Sequence, residues 1–177
     1  MTTPNSTPQL PEYWLRGPLP DVPPLLQPVA HALLQARDEV QTALLNFPDH
    51  LLTARPAGVA SVGFHLRHLA GVLDRMGTYA RHEPLREEQL RYLAAENDVP
   101  TAPGSTAALV QVLHEAVDRL LAQLRATPEP TLSEFRPVGR ARLPSTVMGL
   151  LVHAAEHTTR HTGQLLVTAR VIQARLG

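Results

Sequence analysis

The sequence predicts an all-α protein built as a four-helix bundle. Three observations carry that expectation. Four long stretches repeat their apolar residues at the helical period of about 3.6. The connections between those stretches are marked by prolines and glycines. Outside a few residues around Val138 to Leu143, no stretch alternates apolar and polar residues as a half-buried strand does. A chain of 177 residues suits one domain with a sizeable core.

The elements follow in chain order. Residues 1–28 hold 8 of the 17 prolines and cannot form a helix. Because this stretch also carries Tyr13, Trp14 and Leu15, residues 1–24 are expected to pack on the bundle as a Pro-rich segment, with 25–177 as the single helical domain. The first helix spans about 25–46, with Leu26, Val29, Leu33, Ala36, Val40 and Leu44 in period, and Pro48 ends it. After the Arg55-Pro56-Ala57-Gly58 loop, Ser61 caps a second helix to about His82, whose apolar face runs through Val62, Leu66, Leu69 and Leu73. Residues 85–96 read as a short polar helix. Ser105 caps a third long helix to about Ala126, carried by Leu109, Leu113, Ala116, Leu120 and Leu124. A Pro-rich connection follows, and Ser145 starts a last helix that runs almost to the C-terminus.

Composition excludes several chemistries. There is no cysteine, so there are no disulfides, thiolate nucleophiles or cysteine metal sites. All 16 basic residues are arginine, which removes Schiff-base lysines and the lysine-bearing phosphate loop. Formal net charge is +0, and only Arg136, Arg140 and Arg142 cluster, so nucleic acid and anionic membranes are not expected partners. No apolar run approaches a membrane span, and no basic segment followed by an apolar one marks secretion; a cytoplasmic location is expected. Any metal site must use His, Asp, Glu and water.

Nine histidines remain, and their spacing is informative. His153, His157 and His161 recur every fourth residue on the last helix. Residues four apart lie about 40° apart on the helix surface. His161 falls inside the apolar stripe, His157 at its flank and His153 near the boundary. Imidazoles turned inward need partners for their ring nitrogens. A divalent ion supplies one for both, and HxxxH is the spacing of two-His helical metal sites. A third ligand should come from a facing helix. On the second helix His65 lies on the apolar face and His68 at its edge; periodicity leaves open which of them reaches the ion.

The run Ser61-Val62-Gly63-Phe64-His65-Leu66-Arg67-His68-Leu69-Ala70 resembles the second-helix motif of the DinB/YfiT-like metalloenzyme family (the DinB superfamily). Glu156-His157-Thr158-Thr159-Arg160-His161-Thr162-Gly163-Gln164 resembles that family's last-helix motif, HxxxH followed by Gly-Gln. The segment from Pro11 to Pro24 and the Arg55-Pro56-Ala57-Gly58 turn are similar too. The resemblance implies a metal triad of His68, His157 and His161, since the family uses the histidine directly before Leu-Ala. His65 then becomes an inward neighbour, and His65, His153 and Gln164 are expected to line the pocket or support the ligands. The implied fold is an up-up-down-down bundle with a crossover connection, for which the linkers at 83–104 and 127–144 are long enough.

Members of that family include thiol S-transferases that use bacillithiol-like cofactors and a mycothiol-dependent isomerase. The resemblance therefore implies a divalent metal, Zn or Ni, that activates an external low-molecular-weight thiol or water toward a small-molecule substrate, in a stress-response setting. With no cysteine in the chain, the thiol must come from outside. No carboxylate stands at a motif position to act as general base, which favours thiol activation over hydrolysis. The competing expectation is a non-enzymatic metal- or ligand-binding bundle, a sensor or an oligomeric interaction module. The neutral surface and the apolar N-terminal residues would permit a homodimer.

Overall fold

The structure, a computed structural model, describes residues 10–176; residues 1–9 of the expected N-terminal segment, and Gly177, lie outside the described residues. Five helices form: α1 (Gln27–Leu44), α2 (Val62–Ala80), α3 (Glu87–Ala94), α4 (Ser105–Ala126) and α5 (Val147–Leu176). A two-stranded antiparallel hairpin, β1 (Phe135–Val138) with β2 (Leu143–Thr146), joins α4 to α5. Four of the helices are long and one-sided, so they bury their apolar stripes against one another. α1 and α2 each pack on both α4 and α5. The core is fully buried leucine and valine from all four, including Leu33, Val40, Leu66, Leu69, Leu73, Leu113, Leu124, Leu151 and Leu165. No helix among the described residues is long and apolar enough to cross a membrane.

The helix directions differ from the expected up-up-down-down order. His65 meets His161 and His68 meets His157, so α2 and α5 are antiparallel. The start of α1 lies beside residues 159–162 of α5 and its end beside residues 169–173, so those two run the same way. α2 and α4 are parallel: their first turns approach Leu52 and Asp49 respectively, and near their ends Gly77 meets Leu120 and Gln123. The order is up-down-down-up. The physical reason lies in the connections. Residues 45–61 make a local return in short 3₁₀ turns, whereas 81–104 must travel back the length of a 19-residue helix, about 28 Å at 1.5 Å per residue. That single crossover carries α3, which lies along α2 in the opposite direction: Gln89 bonds Asp74 and Thr78, Arg67 bonds the carbonyl of Ala95, and Val99 reaches Gly63.

Three caps also differ from expectation or refine it. Ser61 does cap α2, accepting from the Phe64 amide at 3.2 Å. Ser105, by contrast, is the first residue inside α4, because Gly104 before it takes φ +86°. The cap comes from a distance: the Asp49 carboxylate accepts from the amides of Gly104 and Thr106 at 2.9 and 2.7 Å. Thr146 replaces Ser145 as the cap of α5, accepting from the Gly149 amide at 3.0 Å. In the N-terminal segment the anchor is Tyr13 and not Trp14. Tyr13 bonds Gln35 and Asp38 of α1, while Trp14 is 64% exposed.

Candidate metal centre

The α2–α5 contact brings four histidines together, two from the first two turns of α2 and two from the middle of α5. Antiparallel packing decides the pairing: advancing three residues on α2, from His65 to His68, corresponds to stepping back four on α5, from His161 to His157. One ring nitrogen from each of His68, His157 and His161 lies within 4.8 Å of the other two. The closest pair is His68 Nε2 and His157 Nε2, 2.8 Å apart. The ring centroids of His157 and His161 stand 4.4 Å apart, and those of His68 and His161 4.6 Å. Phe64 stacks almost parallel on the His68 ring, with an interplanar angle of 11°, and fixes its plane.

His65 lies outside that group of three. It is 3% exposed, and its Nδ1 pairs with His161 Nδ1 at 3.0 Å, so it buttresses one member of the group. The helical period thus identified the more buried histidine of α2, and the motif identified the one that joins the group. His153 is exposed; it pairs with Glu156 at 3.4 Å, and its ring stands 5.3 Å from His157 on the far flank. Gln164 is exposed. It shares with His65 and Arg160 the wall of a cavity of about 580 Å³, completed by Val59, Ala60, Gly163, Val167 and Thr168.

Two further residues, Glu96 and Arg75, carry the site electrostatically, and the sequence reading missed Glu96. Glu96, just beyond α3, places Oε2 2.7 Å from His68 Nδ1. Its other oxygen accepts from Arg75 Nη1 at 2.9 Å. Arg75 is 7% exposed, because the crossover folds α3 over it. Burial alone would raise the Glu96 carboxyl, but the hydrogen bonds from His68 and Arg75 outweigh it and hold the group below the usual carboxylate range. The one sequence signal for Glu96 was an acidic residue ending a short helix in a long crossover, and nothing in its spacing relates it to His68.

Three of the four imidazoles are held toward the neutral form. Burial, with the neighbouring His161 and His68, pushes His65 down to about 4. His157 is likewise pushed to about 4, by burial and then by His161 and His68. His161 is lowered by burial and the nearby His68. Neutral rings offer lone pairs. An ionised Glu96 only accepts, so His68 Nδ1 is the donor of that bond. His157 Nε2 faces His68 Nε2, while His157 Nδ1 is buried without a partner. Nitrogens sharing one ion at bonds of about 2.0–2.1 Å stand roughly 3–4 Å apart, close to the spacing of this group. The donor set therefore fits a divalent cation, with no carboxylate oxygen in the group among the described residues.

No curated protein matches this sequence. The sequence profile of the DinB superfamily matches residues 32–165, from the first turns of α1 through both histidine-bearing helices to the middle of α5. With that match spanning most of the chain and both of its histidine motifs, the protein belongs to the DinB superfamily.

Proposed function

We propose that the protein is a divalent-metal-dependent enzyme, holding Zn or Ni through His68, His157 and His161 and using it to activate an external low-molecular-weight thiol for S-transfer to a small electrophilic substrate. The observation that carries this reading is the convergence of three imidazole nitrogens, from two helices, with no carboxylate among them. A divalent cation held there makes a coordinating thiol or water available as a nucleophile at neutral pH. The remaining roles belong to the chain. Glu96 accepts from His68 Nδ1 behind the group. His65 Nδ1 pairs with His161 Nδ1 and holds that ring in place. Phe64 covers one face of His68 and limits water there.

Thiol activation is favoured over hydrolysis because no nearby carboxylate is free to act as base. Glu96 has both oxygens occupied behind His68. Glu156 is held by Arg160 and His153 on the outer side of α5. The cavity bordered by His65, Arg160 and Gln164 is the place for the substrate, since its wall includes His65, the partner of His161, and is otherwise mainly small and apolar.

The test is bound metal in untagged protein, for wild type and for His68→Ala, His157→Ala, His161→Ala and His65→Ala, followed by thiol-transfer assays with an electrophilic dye. Near-stoichiometric Zn or Ni is expected in wild type and in His65→Ala, with loss in the other three. Wild type that binds neither ion after incubation would sink the enzyme reading. Metal binding without transfer of any thiol tried would leave a metal-binding bundle that acts as a sensor.

A further inference from the structure

Glu96 is an expensive residue to place where it is. A carboxylate that is 5% exposed must have its lone pairs met by donors, and here each oxygen has one. Arg75, also inside, gives one of those bonds and is itself neutralised by it. The surroundings are shaped to admit the pair. A Cβ on Gly71 would stand 2.7 Å from Arg75 Nη1 and 2.8 Å from Glu96 Oε1, so only glycine leaves them room. Arg67 anchors the end of α3 through the Ala95 carbonyl and lies over the Tyr92 ring, fixing the turn from which Glu96 projects. All of this apparatus ends at one atom, His68 Nδ1.

We propose that Glu96, oriented by Arg75 and delivered by the α2–α4 crossover, is a positioning residue of the metal centre that holds His68 in the tautomer presenting Nε2 to the ion. The proposal rests on the metal reading above. A carboxylate can only accept, so it selects Nδ1–H; a ligating imidazole commonly has its second nitrogen held in this way, which fixes both the tautomer and the ring direction. Arg75 is what makes the selection firm, because it locks the carboxylate in one rotation with Oε2 toward the ring. The crossover thereby becomes part of the site, although it contributes no atom to the group of three.

Glu96→Gln tests this with an almost identical shape. An amide has one acceptor oxygen, and the charged Arg75 claims it more strongly than a neutral imidazole does. The amide NH₂ then faces His68 Nδ1, which must accept, and the proton moves to Nε2. The full-length protein would be titrated with Zn²⁺ against a chromophoric chelator, and ¹⁵N NMR of the metal-free protein would report the His68 tautomer. Expected for Glu96→Gln are a Zn²⁺ affinity loss of about 10–100-fold and a change of His68 from the Nδ1–H to the Nε2–H form. In Arg75→Met/Glu96→Gln the amide oxygen is released to His68, so the Nδ1–H form and much of the affinity should return. A role in stability alone would move neither the tautomer nor its rescue. Glu96→Gln that keeps wild-type affinity and tautomer overturns the assignment of Glu96 while leaving the metal reading intact. Wild type that takes up no Zn²⁺ overturns the metal reading, and this proposal falls with it.

Discussion

His65 and His68 are one helical turn apart and have opposite fates, because His65 points to the core between α2 and α5 while His68 points to the side that α3 covers. The fold holds His65 of α2 and His157 of α5 toward the neutral form, and this makes the metal-free protein acid-sensitive. Burial holds His65 and His157 at about 4, against about 6.5 in an unfolded chain. Between those values the unfolded state binds more protons than the folded one, so stability falls as pH falls. The loss begins near pH 6.5, grows through about pH 4, and for these two groups stops growing below that. Each group contributes up to about 1.4 kcal/mol per pH unit inside the window. Urea unfolding in the presence of chelator should show the midpoint dropping steadily from pH 7 to pH 4.5. His65→Gln should be less steep by about one proton. A midpoint that stays flat over that range would show that the imidazoles are hydrated and not held neutral by the fold.

At the scale of the element, α2 contains glycines whose effect on stability differs from what helix propensity alone gives. Replacing a helical glycine by alanine ordinarily stabilises by up to about 1 kcal/mol. Gly163 of α5 should follow that rule, since a Cβ there meets nothing within 4 Å. Gly71 should break it. Its Cβ would press on Arg75, Glu96 and Tyr92 at 2.7–3.0 Å, and those groups are held by each other and cannot swing aside without unpairing a buried charge. Gly163→Ala is expected to raise the melting temperature, and Gly71→Ala to lower it and to weaken metal binding. A stabilised Gly71→Ala would mean that the Arg75–Glu96 pair yields freely. Helix positions were legible in the sequence, because a 3.6-residue apolar stripe depends only on local spacing: all four long helices begin and end within a few residues of expectation. The caps of α4 and α5 were not, because the donor–acceptor partner at α4 is Asp49, more than fifty residues away, and at α5 two adjacent hydroxyls compete. Glu96 was invisible for the same reason. Its meaning comes from which face of α2 the crossover lies on, and no periodicity encodes that.

At the scale of the molecule, the helix directions and the metal group are one problem. His157 and His161 were legible as a pair because they share a helix, and His68 through a motif, but their meeting depends on α5 running against α2. An ion bound by all three would cross-link helices almost ninety residues apart in the chain, joining the histidine motifs at residues 61–70 and 156–164. The unfolded chain holds no such arrangement, so binding free energy adds directly to folding free energy. At free metal 100 times the dissociation constant the gain is about 2.7 kcal/mol. For a domain of this size each kcal/mol moves the melting temperature by about 2–4 °C, giving a rise of roughly 5–10 °C. Wild type should therefore melt higher with Zn²⁺ or Ni²⁺ than with chelator, and the shift should grow with the logarithm of metal concentration. His157→Ala should lose the shift, while its melting temperature in chelator should stay near that of wild type, since its ring is only partly buried, its Nδ1 has no partner, and it gives up a single bond, from Nε2 to His68. A shift of equal size in His157→Ala would place the ion somewhere other than between α2 and α5, and would separate the bundle's stability from its histidines.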